Sequence, residues 1–447
     1  MALVDDGTAD EVTPDRSAEL AAWLDRIERL HPRNIDLGLE RVQAVAAAMG
    51  LTRPAPTVVT VGGTNGKGSC VTFLESILMT AGLATGAYLS PHLLRYNERV
   101  RIGGCEVDDA ALIEGFEAVE AARRDVSLTY FEFGTLAALW LMERVQLDVA
   151  VLEVGLGGRL DAVNVVDADV AVLTSIDIDH EEWLGSDRES IGREKAGIFR
   201  AKRPAICGDP SPPASVAQVA RACGAELLQL GRHFKYTRKA KGWNWQGLSR
   251  RYAALPLPAL AGAFQLRNAS CALAAIEQLS RRHVIGEGDV RAGLLTAKLA
   301  GRYQRIADDA AEWVFDVGHN AEAAGALAAE LAAAPVRGRT TAIIGMMRDK
   351  RVEEYARRLA PYVNEWMAVT LPPPRGLGDA ELATRLEALA LKVERAGAVA
   401  DACALAASRA GPRDRILVCG SFHTIGPALE ARGLYSRPGR KHTVARR

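Results

Sequence analysis

The chain has 447 residues, 49% of them hydrophobic and 25% charged, with 55 Lys and Arg set against 55 Asp and Glu. At roughly 150 residues per domain this length gives two or three domains, and the composition excludes disorder on the scale of a domain. The charge balance excludes the overall basic footprint of a nucleic-acid binder, so an anionic ligand must be held by local charge.

Met1 to Arg16 lack the basic and apolar regions of a signal peptide. The seven cysteines are scattered, without CxxC or zinc-ligand spacing, as expected of reduced thiols in a cytoplasmic protein. Apolar runs such as Val149 to Leu152 fall far short of the ~20 residues of a membrane span. Periodicity predicts a helix over Ser17 to Leu30, a strand over Thr57 to Val61, a helix over Val71 to Ala81 and a strand over Thr85 to Leu89. Helices over Asp108 to Arg123 and Phe133 to Val145 follow, then strands over Val149 to Val154 and Val170 to Ile176. Pro204 to Pro213 and Lys235 to Leu257 read as loops or hairpins at a domain edge. Beyond residue 303 the alternation restarts, with strands at Trp313 to Val317, Thr341 to Ile344, Glu365 to Val369 and Arg415 to Cys419.

The pattern predicts an α/β protein whose mostly parallel sheets carry helices on both faces. The expected division is a nucleotide- and substrate-binding domain over 1–300 and a smaller domain over 301–436, joined near Leu299 to Arg302. A basic flexible tail is expected over 437–447, where five Lys and Arg accompany one His.

The first strand runs into Gly62-Gly-Thr-Asn-Gly-Lys-Gly-Ser69 and then into a helical pattern. Such a turn aims successive backbone N–H groups at phosphate oxygens, helped by the positive end of the helix. Lys67 supplies a charge for the β- and γ-phosphates and Ser69 a hydroxyl close to a magnesium ion. The motif departs from the strict G-x-x-x-x-G-K-[ST] pattern, because Val61 stands at the first glycine and Gly68 separates the lysine from the hydroxyl. Ser90, Glu153 and His180 fall at or just past the ends of predicted strands. The carboxyl ends of such strands form the ligand crevice, where a hydroxyl, a carboxylate and an imidazole can serve Mg²⁺ beside the phosphate loop. Lys195, in Ile191-Gly-Arg-Glu-Lys-Ala-Gly-Ile198, reads on sequence physics alone as one charge on an exposed helix. In the second domain Asp316-Val-Gly-His-Asn320, Gly345-Met-Met-Arg-Asp-Lys350 and Cys419-Gly-Ser-Phe-His-Thr-Ile-Gly426 each follow a strand and form a polar rim.

Taken together, Gly63-Thr-Asn-Gly-Lys-Gly-Ser69, Ser90-Pro-His-Leu93, Leu152-Glu-Val-Gly-Leu-Gly-Gly-Arg-Leu-Asp161, Asp179-His180, Arg193-Glu-Lys-Ala-Gly197, Gly301-Arg302 and Asp316-x-x-His-Asn320 resemble the folylpolyglutamate synthase family of the Mur ligase superfamily. The resemblance is greatest to its bacterial members that are also dihydrofolate synthases, and runs from about Trp23 to Ala428. It implies a Rossmann-like C-terminal domain and an active site in the cleft between the domains. By resemblance, Thr64, Asn65, Gly66, Lys67, Gly68 and Ser69 hold the triphosphate of ATP, with Asn268, Arg302 and Asp316 at further nucleotide positions. Ser90, Glu153, His180 and Lys195 serve two Mg²⁺ ions, Lys195 matching a lysine that the family carbamylates. Lys67, Lys195, His180 and Arg302 are the implied catalytic residues.

The implied pterin and substrate segments are Thr129-Tyr130-Phe131-Glu132, Leu160-Asp161-Ala162 and Arg29-Leu30-His31-Pro32. Chemically, Phe131 can stack on a flat pterin while Asp161 accepts from its N–H groups. Gly318, where alanine is frequent, and Phe264, next to Gln265 where histidine often stands, depart from the family pattern. The implied partners are dihydropteroate, reduced folates and L-glutamate, with no nucleic acid and no membrane. The absence of heptads and the neutral charge favour a monomer. The implied reaction is ATP-dependent amide formation through an acyl phosphate. Its rivals are a folylpolyglutamate synthase alone, a Mur-type ligase acting on a UDP-linked substrate, and a nucleotide switch without amide product.

Overall fold

The computed structural model describes residues 16–308 and 311–435, so the expected basic tail lies outside the described residues. The first sheet has eight strands: β1 (Thr57–Gly62), β2 (Thr85–Tyr88), β3 (Val100–Ile102), β4 (Cys105–Glu106), β5 (Val149–Glu153), β6 (Val170–Leu173), β7 (Pro204–Cys207) and β8 (Glu226–Gln229). Their spatial order is β4-β3-β2-β5-β1-β6-β7-β8, antiparallel only at β4-β3-β2. Every residue of β1, β5 and β6 is buried, as it must be when helices cover both faces of a parallel sheet. Alternate residues feed two cores: Val58, Ala150, Leu152 and Ala171 enter one, Val59, Val61, Val151 and Val172 the other. The chain leaves β1 for β2, returns to insert β5 between them, and continues to β6 on the other side of β1. The strand order therefore reverses at β1, which opens the crevice at the carboxyl ends of β1, β5 and β6.

Two expectations need correction. The proline-rich stretch Pro204 to Pro213 contains β7, an interior strand paired on both sides. Pro204 is the first residue of that strand, where a missing donor is tolerated. The helix expected from Val71 starts instead at Lys67, inside the glycine motif, and ends at Thr80. Lys235 to Leu257 does form hairpins, the antiparallel strands β9 (Lys235–Lys239), β10 (Gly242–Gln246) and β11 (Arg251–Leu255).

Past Gly301 the chain builds a six-stranded sheet from β12 (Gln304–Ala307), β13 (Glu312–Asp316), β14 (Thr340–Ile344), β15 (Glu365–Val369), β16 (Val393–Gly397) and β17 (Arg415–Cys419). Its order is β12-β13-β17-β14-β15-β16, parallel except at β12. Here too alternate residues face two cores, Val314, Ile344 and Leu417 on one side and Phe315, Ile343 and Val418 on the other. Among the described residues no helix is long and apolar enough to cross a membrane.

Candidate active site

The turn after β1 is shaped for close backbone approach. Gly63 has φ +141 and Gly66 φ +84, and a Cβ on Gly66 would stand 2.3 Å from Asn268 Oδ1. Only glycine fits there, and the consequence is a helix that starts at Lys67 with its free N–H groups facing the turn. Lys67 Nζ donates to the carbonyls of Gly63 (3.1 Å) and Thr64 (3.3 Å). Lys195 Nζ donates to the same Gly63 carbonyl at 3.0 Å. Lys195 is 4% exposed, which overturns its reading as a solvated surface charge. Its helix, Arg188–Ala196, turns the lysine inward. Burial, with Lys67 close by, lowers its pKa to about 7, so a large fraction of the amine is neutral at physiological pH.

Glu153, the last residue of β5, is buried and accepts the backbone N–H of Ser90 at 3.0 Å. Burial pushes its pKa up, opposed by Lys67, the Ser90 amide and Arg302. The His180 imidazole is held neutral, its pKa brought down to about 3 chiefly by burial. Gly63 to Ser69, Ser90, Glu153, His180, Lys195, Asn268, Arg302 and Asp316 all line one cleft enclosing about 1150 Å³. Second-domain residues Gly318, His319, Glu322 and Phe422 close its other wall. Arg302 lies over the Phe422 ring, 4.8 Å from its centroid. Asp316, its pKa raised by burial, accepts the amides of Tyr303 and Gly318.

The donors fit the groups that the sequence implied. Asn268 gives its amide N–H to Gln265 at 2.9 Å, while its buried Oδ1 has no hydrogen-bond partner among the described residues, leaving an acceptor in the cleft wall for a nucleotide. No three His, Cys, Asp or Glu side chains among the described residues gather into a metal cage. A hydroxyl, one carboxylate and a neutral imidazole are nonetheless sufficient for Mg²⁺, which keeps several waters and shares phosphate oxygens. Lys195 joins such a set only as a carbamate, since an ammonium repels a cation.

The expected substrate segments fare less uniformly. The Phe131 ring packs against Tyr88, with centroids 5.9 Å apart, and against Gly155 of the cleft wall, where a Cβ would stand 2.5 Å from Phe131 Cζ. Tyr130 is half-buried and its ring faces Tyr96. Thr129 and Glu132 have a structural role of their own. They form a reciprocal capping box on the helix Tyr130–Glu143, and Glu132 also pairs with Arg41 at 2.9 Å. Asp161 also has a structural duty, since its two oxygens accept the amides of Leu156 (2.8 Å) and Val163 (3.1 Å). Its buried carboxyl has a pKa raised to about 7. Leu160 is half-buried and Ala162 belongs to the core. Arg29 pairs with Asp25 of the helix it caps, Leu30 packs on the core, His31 bonds to the Arg33 backbone and Pro32 is exposed. None of these four lines the cleft. Their successors Arg33 to Ile35 line a neighbouring cleft of about 1860 Å³ that shares Asp179, His180 and His319 with the first.

Sequence reasoning missed several contributors. Glu322 accepts Asn65 Nδ2 (2.7 Å), Ser175 Oγ (2.9 Å) and Arg267 (2.8 Å), joining the phosphate loop to the second domain. Gln265 donates to Ser69 Oγ at 3.2 Å. Arg99 is buried without an ion pair among the described residues, and its Nε donates to His92 Nδ1 at 2.9 Å. That bond makes Nδ1 the acceptor and leaves the neutral ring carrying its proton on Nε2. No local sequence signal marks Glu322 or Arg99, whereas His92 lies within the quoted Ser90-Pro-His motif.

Comparison with known proteins gives consistent results. Residues 61–276 match the Mur ligase middle domain, and residues 301–422 the Mur ligase glutamate ligase domain. The dihydrofolate synthase/folylpolyglutamate synthase of Escherichia coli (strain K12) is 47% identical over 418 residues, covering 94% of this chain and 96% of its own. The structure of E. coli FolC in complex with DHPP and ADP is similar with a TM-score of 0.89 and 46% identity, over 94% of this chain and 99% of that one. A bifunctional folylpolyglutamate synthase/dihydrofolate synthase with Mn, AMPPNP and L-glutamate bound is similar with a TM-score of 0.86 and 44% identity, over 96% and 100%.

Proposed function

The chain belongs to the dihydrofolate synthase/folylpolyglutamate synthase family of Mur ligases, and from that premise we propose that this cleft joins L-glutamate both to dihydropteroate and to reduced folyl-glutamates at the expense of ATP. The observation that carries the reading is the convergence, in one cleft, of a glycine-rich loop with Lys67, the buried Glu153 carboxylate, the Ser90 hydroxyl and the His180 imidazole, and a second-domain wall that carries Arg302, Asp316 and Glu322.

A carboxylate is a poor electrophile, so the acceptor's carboxylate oxygen first attacks the γ-phosphorus, releasing ADP and forming an acyl phosphate. The glutamate amine, having lost a proton, then attacks the acyl carbon, and phosphate leaves with the bonding pair as the amide forms. Turn amides and Lys67 hold the phosphates, while Arg302 offsets the charge that moves with the transferring group. Ser90, Glu153 and His180 would hold magnesium, whose chemistry is to bridge and neutralise phosphate oxygens. The neutral fraction of Lys195 is nucleophilic toward carbon dioxide. Its nitrogen forms a bond to that carbon and gives up a proton, leaving a carbamate whose oxygens suit the same corner. Phe131 offers a stacking face at the cleft edge for the pterin, while Tyr130, Asp161 and the Arg29–Pro32 segment shape the surrounding wall and loops. Asn268 Oδ1 and Asp316 accept from the nucleoside.

The same reading takes the enzyme as a cytoplasmic monomer, supported by seven free thiols and by one chain supplying both walls of the cleft. The test is glutamate-dependent phosphate release from Mg²⁺-ATP with dihydropteroate or a reduced folyl-monoglutamate, with products weighed by mass spectrometry. Turnover on both acceptors is expected, with Lys67→Ala reducing both. Turnover on the folyl acceptor alone would leave a polyglutamate synthase, and turnover on neither would refute the folate reading.

A further inference from the structure

Lys350 has no part in the mechanism above, yet it is only 9% exposed. It ends the corner that follows β14 and reaches across to the first domain, where its Nζ donates to Asp179 Oδ1 at 2.7 Å. The same oxygen accepts the backbone N–H of His180 at 2.9 Å. The other oxygen of Asp179 accepts Asn320 Nδ2 at 3.1 Å and lies 3.5 Å from His319 Nε2. A single carboxylate thus holds the backbone of His180 on one side and three second-domain side chains on the other. His180 has φ +53, a left-handed conformation uncommon for residues with a Cβ, although histidine adopts it more readily than most. A buried lysine–carboxylate pair contributes little net stability, because desolvation offsets its attraction. This pair therefore makes better sense as geometry than as glue.

We propose that Lys350 is a positioning residue for the metal corner: docked on Asp179, it fixes the backbone of His180, so that seating the second domain completes the site for the divalent cation. The inference rests on the reading of His180 as a metal-facing group. Charge alone predicts the opposite effect of removing Lys350. Loss of a cation leaves Asp179 uncompensated and makes the corner more attractive to Mg²⁺, whereas loss of a positioning group weakens binding.

The experiment measures Mn²⁺ binding to the full chain by electron paramagnetic resonance with saturating AMPPNP, for wild type, Lys350→Met, Lys350→Arg and Asp179→Asn, alongside metal-free ADP affinity. Lys350→Met is expected to weaken Mn²⁺ binding about tenfold, as removal of groups that orient metal ligands does. Metal-free ADP affinity is expected to stay within about twofold. Lys350→Arg, which keeps charge and donors, is expected to retain most of the Mn²⁺ affinity, and Asp179→Asn combined with Lys350→Met to be less than additive. Mn²⁺ binding by Lys350→Met as tight as wild type, or tighter, overturns the inference, as does an effect confined to the KM for glutamate. If Lys350→Met does not fold, the folded Lys350→Arg and Asp179→Asn decide the matter: wild-type Mn²⁺ affinity in Asp179→Asn overturns it. A wild type without nucleotide-dependent Mn²⁺ binding overturns the metal reading itself, and this inference with it.

Discussion

Two glycines of the phosphate loop separate stability from function. A Cβ on Gly63 would stand 2.0 Å from Thr174 Oγ1 and 3.0 Å from Thr174 N. Thr174 is fully buried and its hydroxyl bonds to the Asn65 carbonyl, so the neighbour has nowhere to go. With φ at +141, Gly63→Ala adds backbone strain of ~1–3 kcal/mol and an overpacking cost of ~1–3 kcal/mol. A loss of about 4 kcal/mol lowers the melting temperature by roughly 6 °C if about 300 residues unfold together. A Cβ on Gly68, by contrast, meets Leu299 at 3.4 Å, Glu153 Oε2 at 3.5 Å and Arg302 Nη2 at 3.7 Å, all ordinary contacts. Gly68 lies in the helix Lys67–Thr80, where alanine is favoured over glycine by up to ~1 kcal/mol. Gly68→Ala should therefore melt at or slightly above wild type. Its methyl nevertheless takes space between the loop, the Glu153 carboxylate and Arg302, and should weaken AMPPNP binding in the presence of Mn²⁺ about tenfold, near 1.4 kcal/mol. Thermal unfolding and titration calorimetry on the two variants check both halves. A Gly68→Ala melting as low as Gly63→Ala would refute the reading of space in the loop, and wild-type affinity in Gly68→Ala would refute the cleft as the nucleotide site.

Thr129→Ala should cost about 1 kcal/mol through loss of the helix cap, while the KM for either acceptor stays within about twofold. A large rise in KM with an unchanged melting temperature would instead assign Thr129 a ligand role. Asp169 is 5% exposed and meets Arg53, Arg203 and Arg282. Burial alone would raise its pKa, but the Val58 amide and the arginines bring it below the ordinary value. Such a carboxylate adds stability above its unfolded pKa of about 4, which is lost as pH falls through the folded value. Asp169→Asn should therefore cost about 2 kcal/mol at neutral pH, and denaturant unfolding should show that gap closing below about pH 4; a gap that is independent of pH would refute the account.

What was legible in the sequence was local. The strand, glycine turn and helix of the phosphate loop declare themselves because φ, sterics and hydrophobic runs act over a few residues, and the strand-end positions of Ser90 and Glu153 follow from the same runs. β7 was hidden because the prolines of its stretch look like loop, although the one that opens the strand, Pro204, costs no ladder bond. Lys195 looked solvated because its neighbours Arg193 and Glu194 are charged. Only the fold reveals that its side of the helix faces Gly63. Thr129 and Glu132 show how one spacing can carry two meanings, since the spacing that matches a ligand segment is also that of a capping box. Partners such as Glu322 on Asn65, or Lys350 on Asp179, lie more than 150 residues apart, and no local pattern carries them.

The neutral chain and the anion-binding cleft are reconciled by where the charges sit. Lys67 and Lys195 share one carbonyl, that of Gly63, so two ammonium groups would crowd a buried point. Burial and the repulsion of Lys67 resolve this by lowering the affinity of Lys195 for its proton. Lys67 stays free to meet phosphate, and the other amine becomes able to react with carbon dioxide. Carbamate formation would then convert a surplus cation into an anion in the cleft that Glu153 also lines. The site would thereby gain the negative oxygens a divalent ion needs from a group that folds as a cation. On the proposed reading, a lysine at this position would serve the metal site better than a glutamate because its charge is decided after folding, by the company it keeps.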